Sequence, residues 1–131
     1  MNVVYSIIAI GIGATGGAAF RWLLGHALHA LYPSIPPGTL AANWLGAYII
    51  GLVSSIFAAC NITSSSYLYL MVITGFLGAL TTFSTFTHEM GTLIRHHEYW
   101  TAVGGIALHV CGSLILFFLG IATFMLFHHA E

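Results

Sequence analysis

Lysine and aspartate are absent from this chain, and charge of either sign is scarce. Of 131 residues, two are arginine and three are glutamate, 4% in all. A soluble domain carries about 25% charged residues, so this chain could not keep a water-facing surface and is expected to be an integral membrane protein. The formal charge of −1 excludes the basic face that nucleic acid requires. No basic residue precedes Arg21, so the first apolar segment lacks the positive region of a secretory signal and is expected to stay in the mature protein. The only two cysteines, Cys60 and Cys111, have no CxxC spacing, and both are expected to be buried free thiols. No phosphate-binding Gly-rich loop is present, and His88-Glu89-Met90-Gly91-Thr92 begins like a zinc HExxH motif but ends in threonine.

What the chain does have is apolar length. With 59% hydrophobic residues it reads as one domain, 1–131, with four stretches near the ~20 residues needed to cross a bilayer. These run from about 3 to 28, 40 to 59, 67 to 93 and 100 to 127. Between them lie a Pro/Gly turn (Tyr32 to Gly38), a polar loop (Asn61 to Ser66) and the only charged loop (Arg95 to Glu98). The runs lack the alternation of barrel strands, and only helices or closed barrels satisfy the backbone in lipid, so the class is all-α with antiparallel neighbours. Gly13 with Gly17, Ala42 with Gly46, and Ala47 with Gly51 have helix-packing spacing. Charge bias is too weak to fix an orientation, which predicts insertion both ways and an antiparallel homodimer.

A few residues are costly in lipid. Arg21 is either snorkelling toward the interface near His26 and His29 or a positive charge at a pore mouth. Asn43 shares a helix face with Thr39 and could bond a neighbouring helix or donate to an anion. His109 and Ser113 also share a face, and an interhelical bond is the simplest use of each. The pairs His96-His97 and His128-His129 read as interfacial segment ends.

The third stretch is the exception to plain membrane helix. Gly75 to Glu89 holds two glycines, five threonines or serines, three phenylalanines, a histidine and a glutamate. Glycine and β-branched hydroxyl residues weaken a helix, so a broken helix is expected, one half to about Leu77 and the other resuming near Thr82. The break, near 78–81, would free carbonyls for a cation, while the resuming half would present its positive dipole end to an anion. A kink repaired by local hydroxyls is the alternative. Phe83 and Phe86 are neighbours on a helix, and Phe76 shares their face only if the axis continues. Aromatic edges beside hydroxyls and an amide suit a small anion without holding it by a fixed charge. Glu89 lies two turns on and is expected at a pore end or beside a basic residue.

Pro37-Gly-Thr-Leu-Ala-Ala-Asn43 followed by Gly75-Phe-Leu-Gly-Ala-Leu-Thr-Thr-Phe-Ser-Thr-Phe86 resembles the Fluc (CrcB) fluoride channel family. Gly16 to Trp22 and His109-Val-Cys-Gly-Ser113 fit it too, so the resemblance spans all four stretches. It implies a dual-topology antiparallel homodimer in the bacterial plasma membrane, multi-pass and surrounded by lipid, that is not an enzyme. Its implied task is passive export of cytoplasmic fluoride through two pores, protecting the cell from fluoride toxicity. It also implies a structural sodium ion at the dimer centre, held by the carbonyls of Gly78 and Thr81. Phe83, Phe86 and Asn43 would form the fluoride pathway, with Phe76, Thr39, Thr82 and Ser113 lining or supporting it. Arg21 and Glu89 match vestibule and pore-end positions. Ala79 stands where many members have a second glycine and Phe117 where some continue a hydroxyl track, and both bear on the polar lining. One rival is a small dual-topology proton-coupled exporter, which needs an embedded carboxylate that 3–28 lacks. Another is a structural subunit of a larger complex, which leaves the hydroxyl, Phe and Gly cluster unexplained.

Overall fold

The computed structural model describes residues 2–29 and 35–128. Four helical runs are long and apolar enough to cross a membrane. The first is α1 (Val3–Leu28) and the second α2 (Pro37–Ala59). The third, Tyr67–Arg95, is composite. It comprises α3 (Tyr67–Tyr69), a π-helical stretch (Leu70–Leu77), α4 (Gly78–Leu80) and, after Thr81 and Thr82, α5 (Phe83–Arg95). The fourth is α6 (Tyr99–His128). Helix α2 starts at Pro37, earlier than the apolar pattern alone expects, because proline's fixed φ and missing N–H suit a first helical position. Residues 32–34 of the Pro/Gly turn and His129 of the second histidine pair lie outside the described residues.

Both polar connections begin with the same helix stop. After α2, Asn61 takes φ 55°, and after α5, His97 takes φ 63°. In each case two N–H groups turn back to the last helical turn. Asn61 and Ile62 donate to Ala58 and Phe57, while His97 and Glu98 donate to Ile94 and Leu93. This left-handed cap satisfies carbonyls that the helix end would orphan, and asparagine and histidine enter that region more readily than most side chains. It gives His97 a local backbone role. Its Nδ1 also lies 3.0 Å from the Tyr99 hydroxyl.

Small residues set the packing. A Cβ at Gly13 would collide with the Met71 carbonyl, and one at Gly17 with the Phe76 carbonyl. Helix α1 therefore lies directly on the π-helical backbone. Gly75 answers from the other side, against the Ile10 carbonyl and the Gly13 Cα. Helices α2 and α6 meet in the same way, Gly51 on the Phe117 carbonyl and Gly120 on that of Tyr48. Close backbone approach through small residues is how helices associate where lipid removes the hydrophobic drive. Ala42, Leu77 and Leu80 form the innermost cluster, and Phe86, Met90, Leu93 and Ala102 form a second one between α5 and α6.

The outside is apolar: Trp100, Leu126 and Phe127 are 89%, 75% and 76% exposed. Such a surface is stable only against lipid, which makes the chain a multi-pass membrane protein. The cysteines correct an expectation. Both are free, but Cys60 and Cys111 are exposed, not buried. An apolar sequence neighbourhood does not imply burial within the chain when the outer face is itself apolar.

Candidate functional site at the Thr81–Thr82 junction

Thr81 (φ −81°, ψ 152°) and Thr82 (φ −150°, ψ 122°) are extended, so helical hydrogen bonding stops at Leu80 and restarts at Phe83. The helical part runs three residues further than Leu77, because Thr81 returns its N–H (3.0 Å) and its hydroxyl (2.9 Å) to the Leu77 carbonyl. Among the described residues, no hydrogen bond from outside the helices' own ladders reaches the carbonyls of Gly78, Ala79, Leu80 or Thr81. The Thr81 side chain lies against Gly46 of α2, where a Cβ would overlap its methyl group.

Asn43 takes over the hydrogen bonds that the backbone has lost. Thr82 N–H, which a continuous helix would turn to Gly78, donates to Asn43 Oδ1 at 2.7 Å. Asn43 Nδ2 donates to the Thr82 carbonyl at 3.1 Å and lies 3.2 Å from His109 Nδ1. Of the two uses open to Asn43, the interhelical bond is the one formed within the chain. Each such bond contributes about 0.5–1.5 kcal/mol net, and a buried group left without one costs about 1–3 kcal/mol. The Thr82 hydroxyl caps α5, accepting from Thr85 N–H at 3.2 Å. The first turn of α5 keeps the remaining N–H groups and the positive end of its dipole.

A cleft of about 390 Å³ opens over this junction. It gathers Asn43, Gly78, Thr81, Thr82, Phe83, Phe86 and Ser113 from three separate segments. The rings of Phe83 and Phe86 are 5.3 Å apart and inclined by 51°. Phe86 is buried, yet Phe83 is 76% exposed at the cleft edge. Behind Phe86, at 4.7 Å, stands His109, which also lines the cleft. His109 was not among the expected pathway residues. The sequence signals for it were its one-turn spacing from Ser113 and its place in the His109-Val-Cys-Gly-Ser113 run.

The other expected residues lie elsewhere. Phe76 stacks on Phe20 of α1 (6.5 Å, 17°) and does not join Phe83, because the π-helical stretch and two extended residues end the common axis. Arg21 and Thr39 line a second recess of about 440 Å³ with His26, His29 and Thr82. Thr82 is therefore a shared wall between the two spaces. Glu89 forms no ion pair among the described residues. The Thr39 hydroxyl donates to its Oε1, and its Oε2 is buried without a partner. Thr39 and Asn43, one turn apart on α2, thus grip α5 at Glu89 and at its N-cap.

The profile of the family described as CrcB-like protein, Camphor Resistance (CrcB), matches residues 8–121. A fluoride-specific ion channel FluC of Chromohalobacter salexigens is 56% identical over 119 residues, covering 91% of this chain and 89% of the relative. Proteins of the same name from Tolumonas auensis and Desulfovibrio desulfuricans are each 52% identical, covering 95% and 92% of this chain and 97% and 93% of theirs.

Proposed function

This chain belongs to the CrcB-like family, and on that footing we propose that it is a fluoride-selective channel of the bacterial plasma membrane, a membrane conduit and not an enzyme. The observation that carries the reading is the cleft, where hydroxyls, aromatic edges and an amide meet the N-terminus of α5 without a fixed positive charge. Fluoride is small and strongly hydrated, so entry requires replacing its water donors. Ser113 and the ring edges of Phe83 and Phe86 supply replacements that hold the ion loosely enough to release it. Asn43 serves by holding Thr82 in its extended form. Arg21 gathers anions at the second recess, Thr39 and Thr82 continue the route, Phe76 supports the wall, and Glu89 marks the pore end.

The pathway is completed by a second copy in antiparallel orientation, within one four-helix channel domain per chain. The exposed Phe83 edge supports this, since one chain leaves the cleft without a far wall. A sodium ion fits the carbonyls of Gly78 and Thr81 at the break. Neutral carbonyl oxygens suit a hard monovalent cation, and the second copy contributes the same two. Bound there, the ion would supply a fixed positive charge that ties the two junctions together. Transport is passive. Fluoride enters a cell as neutral HF and ionises inside, and a negative interior expels the anion with about 2.3 kcal/mol per 100 mV.

Proteoliposomes of the purified chain should release fluoride and retain chloride. Phe83→Ile should abolish the fluoride efflux while the protein still elutes as a dimer. Equal release of both anions, or of neither, defeats the reading.

A further inference from the structure

Resting on the fluoride reading, we infer that His26 and His29 give the second recess a titratable charge, so that fluoride capture there rises as the two rings gain protons. The recess lies at the C-terminal end of α1. Ala18, Arg21, Trp22, Gly25, His26 and His29 line it at intervals of three and four, one stripe of that helix and its cap. Facing them are Gly38 and Thr39 of α2 with Thr82 and Thr85. A Cβ at Gly38 would overlap the Gly25 Cα, so backbone contact fixes the stripe against α2. Thr82, the wall shared with the cleft, connects the recess to the fluoride route.

Arg21 is the only permanent cation lining this space among the described residues. His26 and His29 are both exposed in it, so protons reach them from water. Histidine changes charge between about pH 5 and 8, which takes the lining from one cation to three. A recess lined by charge of one sign raises the local concentration of its counter-ion, so a fall in pH draws in more fluoride. The His26 ring stacks on Trp22 at 5.5 Å and 11°, and an aromatic face accepts a cation as readily as a neutral ring. The imidazole thus keeps its place over the recess in either state. A further arginine inside a span would cost about 2.5–3.5 kcal/mol on insertion, whereas a neutral imidazole enters the membrane and charges afterwards. Acid also drives more fluoride into the cell as HF, so the recess is most charged when the load is greatest.

The elements packed on α1 bring no other titratable group into the recess. From α2, Tyr48 bonds Thr123 near the middle of the span. On α5, Glu89 receives the Thr39 hydroxyl behind the wall, while His88 and Arg95 are exposed outside the recess. The π-helical stretch and α4 carry no titratable side chain. On α3, Tyr67 accepts from Asn2 at the far end of α1, and Tyr69 packs on Phe57 near the end of α2.

The test records current through the full chain in planar lipid bilayers, with equal sodium fluoride on both sides, near pH 8 and near pH 5.5. HF is neutral and carries no current, so only the ion is counted. At low ionic strength and subsaturating fluoride, the wild-type current should be about two- to fourfold larger at the lower pH. An impermeant sodium salt at about 1 M should shrink that ratio toward one, since the screening length falls to about 3 Å. Replacing both residues, His26→Gln with His29→Gln, should give equal currents at the two pH values. His26→Arg with His29→Arg should give the acid-level current at both. A wild-type current indifferent to pH, or a pH ratio that persists in either double variant, overturns the inference and leaves the channel reading standing. If the glutamine pair fails to elute as a dimer, the arginine pair decides by the same criterion. Wild-type protein that passes no fluoride at either pH fails the channel reading itself.

Discussion

Upstream of Thr81 the third span is held by backbone contact, and downstream of Thr82 it is held by side chains. The π-helical stretch Leu70–Leu77 lies on α1 through Gly13, Gly17 and Gly75, with no polar side chain needed at the contact. Helix α5 instead is capped by Thr82, tied to α2 through Glu89 and Asn43, and packed on α6 through Phe86, Met90, Leu93 and Ala102. The first half is therefore rigidly located but chemically plain. The second carries the hydroxyls, carboxylate and rings, and its position depends on polar bonds that each contribute only about 1 kcal/mol. Glycine packing anchors one half so that the other can leave regular helix without losing the fold.

The largest effect should come from the anchored half. Gly13→Val puts a branched side chain into the Met71 carbonyl, backbone that cannot step aside. The cost should reach or pass the upper end of the ~1–3 kcal/mol typical of over-packing. Purification should give aggregate in place of a single symmetric peak on size exclusion. A well-behaved Gly13→Val would mean that α1 does not rest on the π-helical backbone.

Next is the tie across the junction. Asn43→Ala leaves Thr82 N–H and carbonyl without partners inside the chain, about 1–3 kcal/mol for a buried group. The protein should still fold as a dimer, anchored by its upstream half, yet lose fluoride efflux. Full efflux from this variant would show that the extended form of Thr82 is maintained by something other than Asn43.

Smaller again is the cap. Thr82→Ala removes the oxygen that accepts from Thr85 N–H, and loss of such a cap costs about 1 kcal/mol. Thr82→Ser retains it. Thermal stability in detergent should fall for the alanine variant and recover with serine. If both fall equally, the methyl group rather than the cap holds α5.

Much of this division was legible in the sequence, and the reasons differ by residue. Four apolar stretches announce four long helices, because length and hydropathy are summed over some twenty residues and survive local irregularity. Gly13 and Gly17 declare tight packing by spacing alone, though not against which partner. The π-helical stretch was not legible. Its residues, Leu70 to Leu77, are ordinary membrane-helix residues, and a widened turn is a property of packing. Neither was the engagement of Asn43, since an amide in a helix does not say whether it will meet an ion or a backbone. Phe76 shows the limit of periodicity. Seven-residue spacing from Phe83 aligns them only along a continuous axis, and Thr81 and Thr82 end it.

The smallest expected effect tests whether the downstream half is as open as one chain makes it. Gly91 lies inside α5, and a Cβ there would meet nothing within 4 Å. Glycine costs a helix interior about 1 kcal/mol relative to alanine, so Gly91→Ala should stabilise slightly, by about 0.5–1 kcal/mol. Fluoride efflux should be unchanged, because Gly91 lines neither cleft. The same methyl group is thus tolerated on α5 and excluded at Gly13 on α1, a direct contrast between side-chain and backbone anchoring. Thermal stability of the purified variant in detergent reads the sign. A loss instead of a gain would mean that a second chain approaches α5 at this glycine, making the downstream half glycine-packed as well, but between copies.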